Sequence, residues 1–273
     1  WGTAPAMAGW VIAELTGIKF SMEAHAYDIY ENGGDIFLKE KMTDAQFVRT
    51  STEVGCKDLF HLCKENKVYL IRRGLGELTP IKPMRTSRNP LRVLSVGRLV
   101  EKKGFFRQVE LLTILKQKEF PFEAKIIGKG PLYRPLKKKI QALGLEESIQ
   151  LETWKNPAEI KALYQWADVM VFTGKVAKNG DRDGLPNVIA EAMGEGLPVI
   201  SSNVSGSSEA IIHGKTGLLI NAYAMDGEWI DAFKQLASDD VLYRNIQHNA
   251  RKWIEANFDL EKNMQLMCDL LVS

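Results

Sequence analysis

Two acids frame the stretch NGDRDGLPNVIAEAMGEGLPVISS, Asn179 to Ser202: Asp183 and Glu191 lie eight positions apart with a Gly-Leu-Pro turn between them. Pro186 suits the first turn of a helix, where its missing N–H costs nothing. The backbone around Gly184, Leu185, Asn187 and Val188 then brings free N–H groups to an exposed helix start, which binds anions without any side-chain charge. Within that helix Val188, Ile189, Ala192 and Met193 form the face expected to be buried, with Asn187, Glu191 and Glu195 as an adjacent ridge at i, i+4 spacing. A carboxylate at Glu191, on the border of the buried stripe, accepts hydrogen bonds from two neighbouring hydroxyls such as those of a ribose. Asp183 is placed to face a second polyol group, or else to complement the helix dipole. Glu195 is expected to be a solvated charge.

A second cluster stands in SVGRLVEKKG. Arg98 follows Gly97 at the carboxyl end of an apolar run, and Lys103 comes five residues later at the next helix start. In open parallel sheets ligands bind beyond the carboxyl ends of strands. A guanidinium fork and an ammonium point charge together suit phosphate oxygens. The other reading is a helix start with solvated charges, as expected for Glu101 and Lys102, and this motif alone does not choose.

The elements that must position these residues alternate strand and helix, the mark of α/β architecture with parallel sheets. A helix opens the chain, with Thr3 as cap, Pro5 in its first turn, Met7, Val11 and Leu15 on one stripe and Gly17 as its stop. Strands are expected at IKFSMEA, AQFVRTS and KVYLIRRG, with a helix over 53–63. From Gly76 to Pro90 the pattern breaks into a proline-containing linker, GELTPIKPMRTSRNP. A fresh α/β unit follows: strands at LRVLSVG, FEAKIIG, SIQLET, DVMVFT, GLPVISS and TGLLI, with helices between them. Three more helices are expected near 226–237, 240–257 and 260–272. The expected domains are therefore 1–88, an α/β domain plus linker; 89–257, a second and complete α/β domain; and 258–273, a terminal helix. With only about three strands, the first domain is expected to be incomplete at its amino end.

The 273 residues are 45% hydrophobic and carry a net charge of +2, ordinary for a globular chain. Nothing in that balance calls for nucleic acid, so any anion site must be local. Cys56, Cys63 and Cys268 show no metal-ligand spacing, and an odd count without CxxC suits a reducing cytoplasm. No apolar run reaches the ~18 residues of a spanning helix. The run RPLKKK, Arg134 to Lys139, offers a peripheral contact with an anionic membrane surface, although such runs more often form a solvated helix face.

The stretch DGLPNVIAEAMGEGLPVISSNVSGSSEAIIHGKTGLLI resembles the donor-binding segment of retaining nucleotide-sugar glycosyltransferases of the GT-B fold, the glycosyl transferases group 1 family. That family carries two glutamates separated by seven residues. Asp183 and Glu191 hold those positions, so the first acid here is one methylene shorter, a departure that bears on donor preference. SVGRLVEKKG is similar to the family's phosphate motif, through Arg98 and Lys103. IIGKGP, from Gly128, resembles its next strand-turn, and LETW the segment meeting the nucleobase, with Trp154 at the contact. TGIKFSMEAHAYDIY looks like the end of the family's first domain, whose histidine in the donor-sugar pocket corresponds to His25. The resemblance implies two Rossmann-like domains facing a cleft, with 1–88 the carboxyl-side part of the first, acceptor-side domain plus linker, 89–257 the nucleotide-sugar-binding domain and 258–273 a helix crossing back to the first. It also implies transfer of a sugar from a nucleoside-diphosphate donor to a saccharide or lipid-linked acceptor with retained configuration. It places the protein in bacterial polysaccharide or lipopolysaccharide assembly, in the cytoplasm or at the inner face of the plasma membrane. Beyond the donor no cofactor is implied.

On this reading Arg98, Lys103, Asp183 and His25 form the catalytic set, and Gly97, Gly128, Trp154, Gly184, Leu185, Pro186, Asn187, Val188 and Glu191 complete the donor site. No metal is expected: DRD, Asp181 to Asp183, has the form of a metal-binding DxD but runs straight into an anion-binding helix start. GKGPLY lacks the third glycine of a dinucleotide fingerprint, and HGKTG lacks the leading glycine of a P-loop. A non-catalytic nucleotide-sugar-binding protein, an inactive fragment, or an epimerase or phosphorylase on the same fold are the alternatives.

Overall fold

A computed structural model describes residues 2–63, 67–204 and 206–272. The chain divides into two compact units. One comprises Trp1–Gly76, Val176–Leu185 and Ala256–Ser273, the other Glu77–Lys175 and Pro186–Glu255.

The first unit opens with α1 (Ala4–Thr16), closed by Gly17 in the left-handed region at φ 71°, where glycine carries no steric penalty. Thr3 occupies the cap position but its hydroxyl caps nothing. The stripe read at Val11 and Leu15 stays exposed, and the helix packs through Ala6 instead. Then come β1 (Met22–Glu23), α2 (Ala26–Tyr30), α3 (Leu38–Asp44), β2 (Val48–Thr50), α4 (Glu53–Leu62) and β3 (Val68–Leu70). The three short strands pair in parallel in the order β1-β2-β3, with Met22 opposite Val48 and Val48 opposite Val68. Met22, Leu38, Met42, Val48 and Leu59 fill the core around them. The helices α2 and α3 have no counterpart in the sequence reading. The first is five residues long, and the second turns a lysine inward. Lys41 is fully buried, its ammonium held by the Gly2 carbonyl and, at 2.6 Å, by Asp35 Oδ1. A charge on the buried face erases the amphipathic signal.

The second unit holds β4 (Leu91–Val96), α5 (Phe105–Gln117), β5 (Phe122–Ile127), α6 (Tyr133–Ala142), β6 (Ile149–Glu152), α7 (Pro157–Trp166), β7 (Val169–Phe172), α8 (Asn187–Gly194), β8 (Val199–Asn203), α9 (Ser207–Ala210), β9 (Leu218–Asn221), α10 (Asp226–Ser238) and α11 (Asp240–Asn257). Its strands form one six-stranded sheet in the order β6-β5-β4-β7-β8-β9, all parallel. The order reverses between β4 and β7, the arrangement of a doubly wound fold, whose ligands sit at that switch point beyond the carboxyl ends of the strands. Buried runs such as Val169–Phe172 are apolar throughout, as strands covered on both faces must be.

The segment 77–90 is irregular, as its prolines predict, and is strapped along the second unit. Lys82 Nζ donates to carbonyls at the end of α7, including that of Gln165 at 3.3 Å, and burial pushes its ammonium down to about 8. Arg85 pairs with Asp168 at 2.6 Å. Arg88 donates to the Leu236 carbonyl at 2.7 Å and lies over the Tyr243 ring. The last helix, α12 (Leu260–Val272), belongs to the first unit. There Leu75 N–H donates to the Phe258 carbonyl at 2.9 Å, and Gly74 leaves room for Leu260, which a Cβ would meet at 2.4 Å. Among the described residues no helix is long and apolar enough to cross a membrane.

Candidate functional site

At the carboxyl edge of the six-stranded sheet the ends of β4 and β5 close on each other. Gly97 N–H donates to the Ile127 carbonyl at 3.0 Å, and a Cβ on Gly128 would lie 1.9 Å from the Gly97 oxygen. Only glycine permits that approach. Arg98 follows and is exposed; its guanidinium makes no hydrogen bond or ion pair with any described residue. A single turn over Glu101–Lys103 reverses the chain and carries Lys103 back over Gly97, its Cδ and Cε 3.8 and 3.9 Å from where a Cβ would stand. The Lys103 ammonium lies 5.2 Å from the centre of the Phe172 ring, at the end of β7. Both cations therefore stand at the β4–β7 switch point. Gly104 then takes φ 70°, where a Cβ would fall 1.7 Å from the Thr173 oxygen, and Thr173 Oγ1 donates back to the Gly104 carbonyl at 2.9 Å. Lys102, expected to be solvated, is buried instead. The tight turn directs it inward, and its carbonyl accepts from Lys175 N–H at 2.9 Å.

The helix α8 follows β7 in a parallel strand–helix–strand unit, so its amino end opens at this same edge. Pro186 is the cap residue, with extended ψ of 126°, and Asn187 is the first helical residue. This corrects the expected place of the proline by one position. No side chain caps the first turn, which leaves the amides around Asn187 and Val188 for an outside acceptor. The buried face is Ile189, Ala190, Ala192 and Met193. Glu191 is half-buried and accepts a hydrogen bond of 3.0 Å from the hydroxyl of Tyr164 on α7. Glu195 is not solvated. It is 7% exposed, and its carboxylate accepts from Thr79 and, at 3.0 Å, from Gln165, because the strapped segment 77–90 covers it. Trp154, just past the edge strand β6, is 68% exposed.

The remaining expected residues lie in the first unit. His25 caps α2, its backbone N–H donating to Asp28 Oδ2 at 2.8 Å. Its Nε2 is 3.1 Å from Glu23 Oε2, and its Nδ1 is 3.4 Å from the Ser51 hydroxyl. Arg49 holds the other oxygen of Glu23 and donates from Nε to the Ile71 carbonyl at 2.9 Å. The hydrogen bond from His25, followed by Arg49 and opposed by burial, lowers the Glu23 carboxyl to about 2. Asp183, Gly184 and Leu185 group with this unit, whereas Pro186 onward groups with the other. Their segment is anchored by Asn179, whose carbonyl accepts from Asn32 N–H at 2.8 Å, and by Arg182, which stacks 3.8 Å over the Tyr30 ring. Gly184 lies so near Thr52 that a Cβ would meet its Cγ2 at 2.9 Å. Among the described residues no group of three or more His, Cys, Asp or Glu is placed to hold a metal ion.

Sequence reasoning passed over Glu23, Arg49 and Tyr164. Tyr164 sits in an amphipathic run where an aromatic reads as core. Glu23 and Arg49 lie 26 residues apart, and only pairing of the parallel strands brings them side by side.

The model of the glycosyl transferases group 1 family matches residues 81–253. Over 158 residues, 58% of this chain and 39% of the relative, the sequence is 40% identical to the amylovoran biosynthesis glycosyltransferase AmsK of Erwinia amylovora. Over 214 residues, 77% of this chain and 52% of the relative, it is 31% identical to WcaL of Escherichia coli K12, provisionally named a colanic acid biosynthesis glycosyltransferase. The chain thus spans about half the length of the curated relatives it matches. Among solved structures, Anabaena HepE in complex with UDP-glucose superposes with a TM-score of 0.82 at 18% identity, covering 98% of this chain and 76% of that one, a likeness of fold.

Proposed function

Because the chain belongs to the glycosyl transferases group 1 family and has the GT-B type of fold, we propose that the protein transfers a sugar from a nucleoside-diphosphate donor to a saccharide or lipid-linked acceptor, with retention of anomeric configuration. The observation that carries this reading is the switch point of the six-stranded sheet. There the unengaged Arg98 guanidinium and the Lys103 ammonium folded over Gly97 share an edge with the uncapped start of α8.

Breaking the anomeric C–O bond places positive charge on the sugar ring and adds negative charge to the departing phosphate. A fixed positive field at that phosphate is the most effective catalytic group, since it needs no reorganisation as the charge develops. Arg98, Lys103 and the amides at the start of α8 supply it. Glu191 holds the ribose hydroxyls, and Trp154 offers a flat face to the base. The leaving phosphate accepts the proton of the acceptor hydroxyl on the face where the new bond forms, so configuration is kept without a separate base. The names of the relatives favour assembly of a bacterial exopolysaccharide as the setting.

Thermal melting against UDP-, GDP- and ADP-sugars tests the donor class. A binding donor at 100 times its Kd stabilises by about 2.7 kcal/mol, and NMR of the product then reports the anomeric configuration. Stabilisation by one nucleotide class with a retained linkage is expected. No stabilisation by any of them, or an inverted product, would contradict the proposal.

A further inference from the structure

The proposed role of Glu191 requires more than a carboxylate at that position. A carboxylate on a helix rotates about its terminal bonds, and only one orientation meets two vicinal hydroxyls at once. Tyr164 is 3% exposed, at the end of α7, and its hydroxyl donates to Glu191 Oε2 at 3.0 Å. No other described side chain engages Glu191. Burial, and after it the Glu191 and Glu195 carboxylates, push the phenol well above its ordinary value, so it remains a donor throughout the physiological range. The next residue grips the next acid on the ridge: Gln165 donates to Glu195 Oε2 at 3.0 Å. The end of α7 therefore braces Glu191 within α8 and Glu195 at its carboxyl cap, the first half-buried and the second buried.

We infer that Tyr164 is a positioning residue for donor recognition: by holding one oxygen of Glu191 it fixes the carboxylate plane, leaving the other oxygen and the unused lone pair for the two ribose hydroxyls. This rests on the ribose reading of Glu191. It assigns sugar-ring selectivity for ribonucleotides to a buried phenol that never touches the ligand. Gln165 holds the structural acid and carries no such selectivity.

Calorimetric titration separates the possibilities, using whichever of UDP, GDP and ADP the wild-type chain binds most tightly and its 2′-deoxy counterpart. In the wild type, loss of the hydroxyl weakens binding by about ten-fold, the effect of a hydrogen bond to a charged group. In Tyr164→Phe, which keeps the buried ring, that ratio falls several-fold toward one; in Glu191→Ala it reaches one; in Gln165→Leu it stays at the wild-type value. If Tyr164→Phe weakens both nucleotides equally and keeps the ratio, Tyr164 is merely structural and the inference fails. If Glu191→Ala keeps the ratio as well, the ribose assignment of Glu191 fails first. Absence of binding by all three nucleotides would overturn both. Melting of each variant without ligand checks that the fold is intact, and should Tyr164→Phe not fold, Tyr164→Leu replaces it: loss of the donor hydroxyl must then lower the same ratio, and an unchanged ratio overturns the inference.

Discussion

Glu23 shows how much one side chain in the first unit depends on its partners. His25 and Arg49 each hold one of its oxygens, and together they lower its carboxyl from 4.5 to about 2. The folded state therefore prefers the ionised form more strongly than the unfolded chain does. The stabilisation is fully present above about pH 4.5 and is lost as pH falls from there through about 2. Glu23→Gln should lower the melting temperature at pH 7, and the gap to wild type should close as pH falls through that window. Because Glu23 is only half-buried, solvent screens the pair and the gap should be modest. A gap of equal size at pH 7 and pH 3 would show that Glu23 contributes no ionisation-linked stability. At this scale the sequence displayed the types and spacing of Arg98, Lys103 and Glu191 but not the surroundings of Lys102 and Glu195. An isolated charge on a helix reads as solvated, and the cover over Glu195 comes from Thr79, 116 positions away.

Among the elements, the turn into α5 carries Lys103 at the edge of the six-stranded sheet. Gly104 combines a left-handed φ of 70° with a would-be Cβ 1.7 Å from the Thr173 oxygen, whereas Gly144 has φ 61° and open space around it. The two glycines separate backbone strain from steric approach. Gly144→Ala should cost only the left-handed backbone, about 1–2 kcal/mol. Gly104→Ala should cost that plus about 1–3 kcal/mol for displacing β7. Denaturant midpoints at constant slope read the difference, and equal shifts in the two variants would refute the close approach. The elements of the second unit were largely legible, because buried parallel strands read as unbroken apolar runs and its helices keep a clear 3.6 period. The first unit was less so. Its strands are two or three residues long, α2 is too short for periodicity, and the buried Lys41 of α3 hides the face on which that helix packs.

For the molecule as a whole, a net charge of +2 supplies no general attraction for polyanions. The positive potential must be local, and the doubly wound topology supplies the location. The cations at the end of β4 and the mouth of α8 meet one sheet edge because the strand order reverses between β4 and β7. Family membership was legible from motif order and spacing; which residues brace the motifs became visible only in three dimensions. The central claim is that this edge is a permanent anion cradle for a departing diphosphate. Its most direct test is the transfer rate at saturating donor for Arg98→Ala and Lys103→Ala beside the wild type. Each substitution should lower the rate by about 10²–10³-fold while leaving the melting temperature without ligand nearly unchanged. Wild-type rates in both variants would contradict the account.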